Sequence, residues 1–470
     1  MKVLCLARSC RWVIAVSAAA LLVSSSEASL FAQTVAARKF RETPLAPMSA
    51  ELRPSSIVSA DARHIAYIRR TGSGEQAVFD GREQPEFDQA AALAFSPDGK
   101  HWAYAARRGS TWRVVVNGRE QPEFDRVGPP VFAPGSKRLA YVARPKGAES
   151  RVVVEAPGGP GKSYDEVFEG MLVFSPDGAR LAYGARRDGR WYVVDNGREF
   201  GPYDYLGSAT GLVFSPDGKR LAWAALFGKQ WHLVVDGEAG PAYDNLADVV
   251  FSGDGRRVGY AAQRGEQWMA VIDRDEQPPC RAIAEGMMAF SPGGGWLAYV
   301  AQNGEQWQII VGRQQWKPFD SVRQILFSPN NKRLASIVVS GGAELVVVNN
   351  REGRIFDRVG GGTLVFSPDG SRLGYIAKAG RNTFAVVEGQ RLPRYDMAGY
   401  LTFSPSGRAV YAATSGDKAF TVVEDQEAAH HYEEIWTSPD AKLIFDDPQR
   451  FHYLGLKQGQ LFLVEEELGR

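Results

Sequence analysis

Six histidines, three cysteines and many carboxylates are the side chains of this sequence that could do chemistry. The histidines are His64, His101, His232, His430, His431 and His452, and none falls in HExxH or another metal-ligand spacing. His430 and His431 are adjacent, but neighbours on a strand point to opposite faces, so the two would not close on one ion. No G-x-S-x-G pentapeptide supplies a nucleophile elbow, and no glycine-rich loop is built to cradle phosphate. Cys280 is the one thiol after the first ten residues, so no internal disulfide is expected once the N-terminal segment is removed. The expectation is no catalytic residue, no metal site and no cofactor. A paired-carboxylate glycosidase is the catalytic chemistry these residue types leave open.

Three patterned sets remain. An aromatic-Asp pair recurs as Phe87-Asp88, Phe124-Asp125, Tyr164-Asp165, Tyr203-Asp204, Tyr243-Asp244, Phe319-Asp320, Phe356-Asp357 and Tyr395-Asp396. A residue needed once for chemistry would not be needed so often, so the aromatic is expected to pack and the Asp to cap a turn. Tryptophans recur at Trp112, Trp191, Trp231, Trp268 and Trp307, in a slot where other residue types also stand, and read as packing too. The third set is asymmetric. RRTGSG (69–74), RRGST (107–111), RPKGAES (144–150) and RRDGR (186–190) are basic, whereas LFGKQ (226–230) and QNGEQ (302–306) are not. Arg69, Arg70, Arg107, Arg108, Arg144, Lys146, Arg186 and Arg187 are therefore the candidate binding residues, as a basic arc. With 55 basic against 54 acidic side chains overall, a local excess is informative.

The elements that must position these residues come from a repeat. GREQPEFD stands at 81–88 and again at 118–125. F-S-P-D-G-like turns recur from Val58, Phe95, Phe132, Phe174, Phe214, Phe251, Phe290, Phe327, Phe366, Phe403 and Thr437, at spacings between 34 and 42 residues. Residues 91–127 show what one unit holds. AALAFS ends at a Pro-Asp-Gly turn, KHWAYAAR alternates as a half-buried strand, and WRVVV is rich in β-branched residues. Asn117-Gly118 then predicts a two-residue hairpin into REQPEFD, and Asp80-Gly81, Asn196-Gly197 and Asp236-Gly237 fill the same place. Pro85 and Pro122 put that fourth strand on a sheet edge. Four antiparallel strands in about 38 residues, ending on an edge, predict a propeller blade with strand one along the central channel. The fold class is all-β: a β-propeller of about eleven four-stranded repeats.

FSPDGKRLAWAA (214–225) and LVFSPDGSRLGYIA (364–377) resemble the WD40-like repeats of the TolB propeller, with similar repeats in the propellers of prolyl-oligopeptidase-type enzymes. The resemblance implies the propeller and not the partner domains. Residues 33–52 are too few for the α/β domain that TolB-like proteins carry, and the hydrolase domain has neither its elbow nor room. Eleven units exceed the usual ~4–8 blades. Two propellers fused end to end are therefore expected, over 53–248 and 249–466 with the boundary between 245 and 285, and one large ring is the alternative.

Residues 1–32 have the parts of a secretory signal peptide: Lys2, Arg8 and Arg11, then VIAVSAAALLVSSS, then small residues. Residues 33–52 are expected to be a linker. No later apolar run approaches about 18 residues, so no membrane segment is expected after cleavage. The sum predicts an exported, periplasmic or extracellular, non-enzymatic propeller, with an envelope-associated bacterial protein implied by the TolB resemblance. It would bind an acidic protein or an anionic envelope polymer through loops on one face, and not nucleic acid. The alternative is a carbohydrate-active hydrolase or lyase with acids in the channel.

Overall fold

The computed structural model describes residues 38–135, 138–147, 149–155, 162–207, 211–436 and 443–469. The signal-peptide reading falls outside these residues. Arg38–Arg470 make one compact unit.

Eleven antiparallel sheets follow one another along the chain, numbered here as blades 1 to 11, and each runs in the order one-two-three-four. Local chemistry sets each turn. In blade 2 the Ser96 hydroxyl donates to Asp98 at 2.6 Å and accepts the backbone N–H of His101 at 2.9 Å, closing the Pro-Asp-Gly loop between strands one and two. Ser175, Ser215, Ser252 and Ser367 do the same in their blades, and each is fully buried. Asn117 and Gly118 take φ of 49° and 81°, and Asp236 and Gly237 take 56° and 93°. Two successive positive φ values make the tight hairpin whose twist suits the flanking strands. Proline sits where a donor is not missed. Pro85 falls at the register shift of strand four in blade 1 (Arg82–Phe87), and Pro122 in the gap between Arg119–Glu120 and the bridge at Phe124.

Eleven apolar clusters hold the sheets together, each shared by two neighbours. Ala66 and Phe79 of blade 1 pack with Tyr104 and Val115 of blade 2. Ala222 and Tyr243 of blade 5 pack with Tyr260 and Val271 of blade 6, and Ala261 and Cys280 of blade 6 with Leu297 and Tyr299 of blade 7. The last cluster joins Leu454 and Leu461 of blade 11 to Ile65 and Tyr67 of blade 1. A chain of neighbours that returns to its start is one closed ring. The expected seam between 245 and 285 is therefore absent among the described residues. Blade 6 is packed on both sides like any other, and the large-ring alternative describes the molecule.

The expected linker is corrected as well. Phe40–Pro47 is a strand, paired antiparallel with the last strand, Gln460–Glu467, from Phe40 opposite Glu466 to Pro47 opposite Gln460. It supplies strand four of blade 11, so the two ends of the ring share one sheet. Closure through backbone hydrogen bonds covers the edge of strand three, and Pro44 and Pro47 stand on the strand that becomes the new edge.

Strand one of blade 6 (Asn245–Phe251) lies against strand one of blade 7 (Ala282–Phe290), and that against strand one of blade 8 (Ser321–Phe327). The first strands thus converge, as the blade pattern predicts. All two-three hairpins and four-to-one connections emerge on one face, called here the hairpin face. The one-two and three-four turns form the opposite face.

Candidate functional site

The repeated pairs prove to be joints. Phe87 meets Tyr104 of the next blade edge-on at 6.2 Å, and Tyr243 meets Tyr260 at 6.1 Å. Beside most of these aromatics the Asp accepts a backbone N–H from the next blade's hairpin: Asp88 from Gly109 at 2.6 Å, Asp165 from Asp188 at 2.9 Å, Asp244 from Gly265 at 2.7 Å, Asp320 from Gly341 at 2.7 Å. Such a carboxylate is occupied by backbone and is not a free cation ligand. Trp191, Trp231, Trp268 and Trp307 pack half-buried against the clusters between blades.

The histidines are structural too. His64 Nδ1 lies 2.7 Å from Asp80, which holds its pKa above the usual value. His452 bridges the ring closure, with Nε2 2.6 Å from the Asp61 carbonyl and Nδ1 3.0 Å from Asp446. His430 stacks on Phe40 and His431 stands edge-on to Phe420, so the adjacent pair part as expected. Cys280 is buried, and burial pushes its thiol up to about 11. Among the described residues no group of His, Cys, Asp and Glu could hold a metal ion.

The basic arc lies on the hairpin face and divides into two tiers. Arg70, Arg107, Arg144 and Arg186 occupy one equivalent place in four successive blades. The last three lie opposite the first residue of strand one, namely Gln89, Arg126 and Glu166, and Arg70 holds the same place against strand three. At that place the remaining blades carry Leu226, Gln263, Gln302, Val339, Lys378, Thr414 and Leu456. The second tier turns outward along the blade, because successive strand residues alternate faces. There Arg69 pairs with Glu83 at 2.7 Å, and Arg108 with Glu120 at 3.4 Å while lying over the Phe87 ring. Arg187 takes Glu199 by two hydrogen bonds of 3.1 Å. Charge-assisted pairs of this kind neutralise each other locally.

In the first tier Arg70 is 90% exposed, with Glu75 at 3.9 Å. Arg107 bonds the Gly109 carbonyl at 3.0 Å. Arg186 pairs with Glu166 at 3.0 Å, and Arg144 and Arg186 line a cavity of about 470 Å³ together with Arg126, Glu166 and Glu169. Lys146 is exposed at its hairpin tip. The structure thus gathers the first tier and Lys146 on one arc and commits Arg69, Arg108 and Arg187 to glutamates on strand four.

One channel carboxylate departs from the repeat. Asp248, at φ 52° in a bulge of strand one, accepts the Gly286 N–H at 2.9 Å. Burial pushes its pKa above the usual carboxylate range, and Glu285 adds repulsion.

The sequence reading passed over a further joint on the opposite face. Arg180 donates to the carbonyls of Gly218 and Lys219 in the next blade, pairs with Asp195 and lies over Phe214. Arg138, Arg220, Arg257, Arg333 and Arg372 likewise reach across to the following turn. The signal was in plain view as the Arg that follows the Pro-Asp-Gly turn by two residues.

No family model and no curated protein matches the chain. Solved structures similar to it include propellers. The Cps50 (Swd1) β-propeller domain of Myceliophteria thermophila is 12% identical, with 56% of this chain and 98% of that one covered at a TM-score of 0.27. The Dos1 propeller is 12% identical, with 61% and 89% covered at 0.32. TolB of Acinetobacter baumannii is 14% identical, with 59% and 95% covered at 0.25. At such scores the fold assignment rests on the chain's own sheets. By its own sheets the chain is an eleven-bladed β-propeller.

Proposed function

We propose that this is an exported, non-catalytic propeller that binds an acidic protein or an anionic polymer of the cell envelope on its hairpin face. The observation that supports it most is the column of Arg70, Arg107, Arg144 and Arg186, repeated over four adjacent blades, where the other seven blades carry one cation, Lys378. Rigid blades hold these charges at a fixed spacing, which favours recognition without moving parts. Lys146 extends the same arc outward. Capture from an envelope extract tests the reading, with the chain and its Arg70→Glu/Arg107→Glu variant as paired baits. A partner held by the first and released by the second is the expected result; equal capture removes the arc as the binding surface.

A second reading has one observation in its favour. Burial raises the pKa of Asp248, which accepts the Gly286 N–H at 2.9 Å next to Glu285 on the neighbouring first strand, an arrangement that suits an acid in a channel hydrolase. Release of reducing sugar from an envelope polysaccharide, abolished in Asp248→Asn, would establish it in place of the binding role.

A further inference from the structure

On the turn face two clefts between neighbouring blades differ in their charge balance. Between blades 5 and 6 a cavity of about 460 Å³ is lined by Arg220, Arg256 and Arg274 and, in equal number, by Asp236, Glu238 and Asp273. Arg220 pairs with Asp236 at 3.1 Å and Arg274 with Glu238 at 3.8 Å. Between blades 7 and 8 the corresponding cavity is about 950 Å³, and none of the described residues lining it is a carboxylate. Arg313, Lys332 and Arg351 open onto it, exposed and without an ion pair among the described residues. The fourth cation, Arg333, is already spent on Glu388 and the Ser371 carbonyl, both at 3.0 Å.

The difference traces to two residues of blade 7. Where blades 3 to 6, 8 and 9 carry the bridging arginine and blades 1 and 2 carry His64 and His101, blade 7 carries Trp296, 58% exposed. Where blade 5 places Asp236, blade 7 places Gly312 at φ 59°. A side chain at that glycine would put its Cβ 2.7 Å from the Trp296 ring. Bridging arginine and neutralising carboxylate are thus replaced together. Gly312 lets the indole approach the backbone closely while more than half of the residue stays exposed. Amides complete the wall: Gln314, Asn331, Asn349 and Asn350.

We infer that this cleft binds an anionic oligosaccharide, a sugar chain bearing carboxylate or sulfate groups. A pyranose ring offers an apolar side to the Trp296 indole, the Gln314 amide bonds its hydroxyls, and unpaired cations take the acid group. A nucleic-acid strand fits less well, because strand binding uses successive stacking platforms along a basic groove and Trp296 is the one exposed aromatic among the described lining residues. An acidic peptide would use the cations and leave the indole without a partner. The site lies on the face opposite the arginine column and is independent of the role proposed for that column.

Calorimetric titration of the full chain tests this. The probes are galacturonate and chondroitin sulfate hexasaccharides, maltohexaose as the neutral control, a twelve-residue oligothymidylate and pentaglutamate. At least one anionic hexasaccharide is expected to bind roughly tenfold more tightly than every control. Trp296→Ala is expected to weaken that binding about tenfold, and Arg313→Glu/Arg351→Glu by more. Trp296→Phe should restore most of it, and all these variants should melt with the parent because the side chains are exposed. No binding by either anionic sugar, equal binding in the variants, or oligothymidylate or pentaglutamate matching the sugars would overturn the assignment.

Discussion

Arg38 and Glu466 form a buried ion pair, Nε to Oε1 at 3.0 Å, that ties the residue leading into the first strand to the last strand of the ring. Glu466 also accepts from the Thr421 hydroxyl at 2.7 Å, and Arg38 donates to the Thr421 carbonyl at 2.8 Å. The pair is surrounded by blades 10 and 11, so ring closure combines strand pairing with a buried ion pair.

Removing one partner should cost more than removing both. Glu466→Ala leaves the Arg38 guanidinium buried without its anion, an expected loss of about 3–5 kcal/mol. Arg38→Met combined with Glu466→Leu should recover most of that. Urea unfolding of the parent, single and double variants measures the difference. A double variant no better than the single would show that closure does not depend on this pair.

The joints between blades should be separable one at a time. Asp244→Ala frees the Gly265 amide in the neighbouring blade, at a cost of ~1 kcal/mol. Hydrogen exchange should quicken at Gly265 by about fivefold and stay unchanged in blades 1 to 3. Quickening throughout the ring would instead mean that the blades open together.

Two carboxylates should move acid stability in opposite directions. Arg187 and then Tyr164 and Lys162 hold Glu199 at about 2, below its usual 4.5. A depressed acid contributes stability that is full above 4.5 and is lost as pH falls through about 2. Asp248 is raised above 3.8, so it contributes most below that value and its contribution is lost as pH rises through the folded-state pKa. Melting temperature against pH should therefore fall less steeply on acidification in Glu199→Gln. Asp248→Asn should melt higher than the parent at pH 7, with the gain shrinking below pH 3.8.

The repeat made most of the fold legible, because each turn spells its own conformation: Asn117-Gly118 asks for two positive φ values and takes them. Ring number was not legible. Closure depends on Phe40–Pro47 pairing with Gln460–Glu467, a contact between the ends of the chain that carries no repeat signature. The basic arc was legible as residue types but not as charge balance. Arg108 and Arg187 follow Arg107 and Arg186 by one residue, and that single step turns them onto Glu120 and Glu199. The cleft at Trp296 left a trace in the sequence, since GGGW at 293–296 stands where most neighbouring units carry an arginine, as Arg257 and Arg333 do on either side. Its meaning depended on Gly312, sixteen residues on in sequence and in contact with the indole only in the folded blade.

Recognition on the hairpin face can be mapped by site-specific photo-crosslinking. A photoreactive residue at Lys146 marks that face, and one at Lys100, in a one-two turn, marks the opposite face. Irradiation in the presence of envelope extract should give an adduct at position 146 and none at position 100. An adduct at position 100 alone, or none at either, would contradict partner binding through the arginine column.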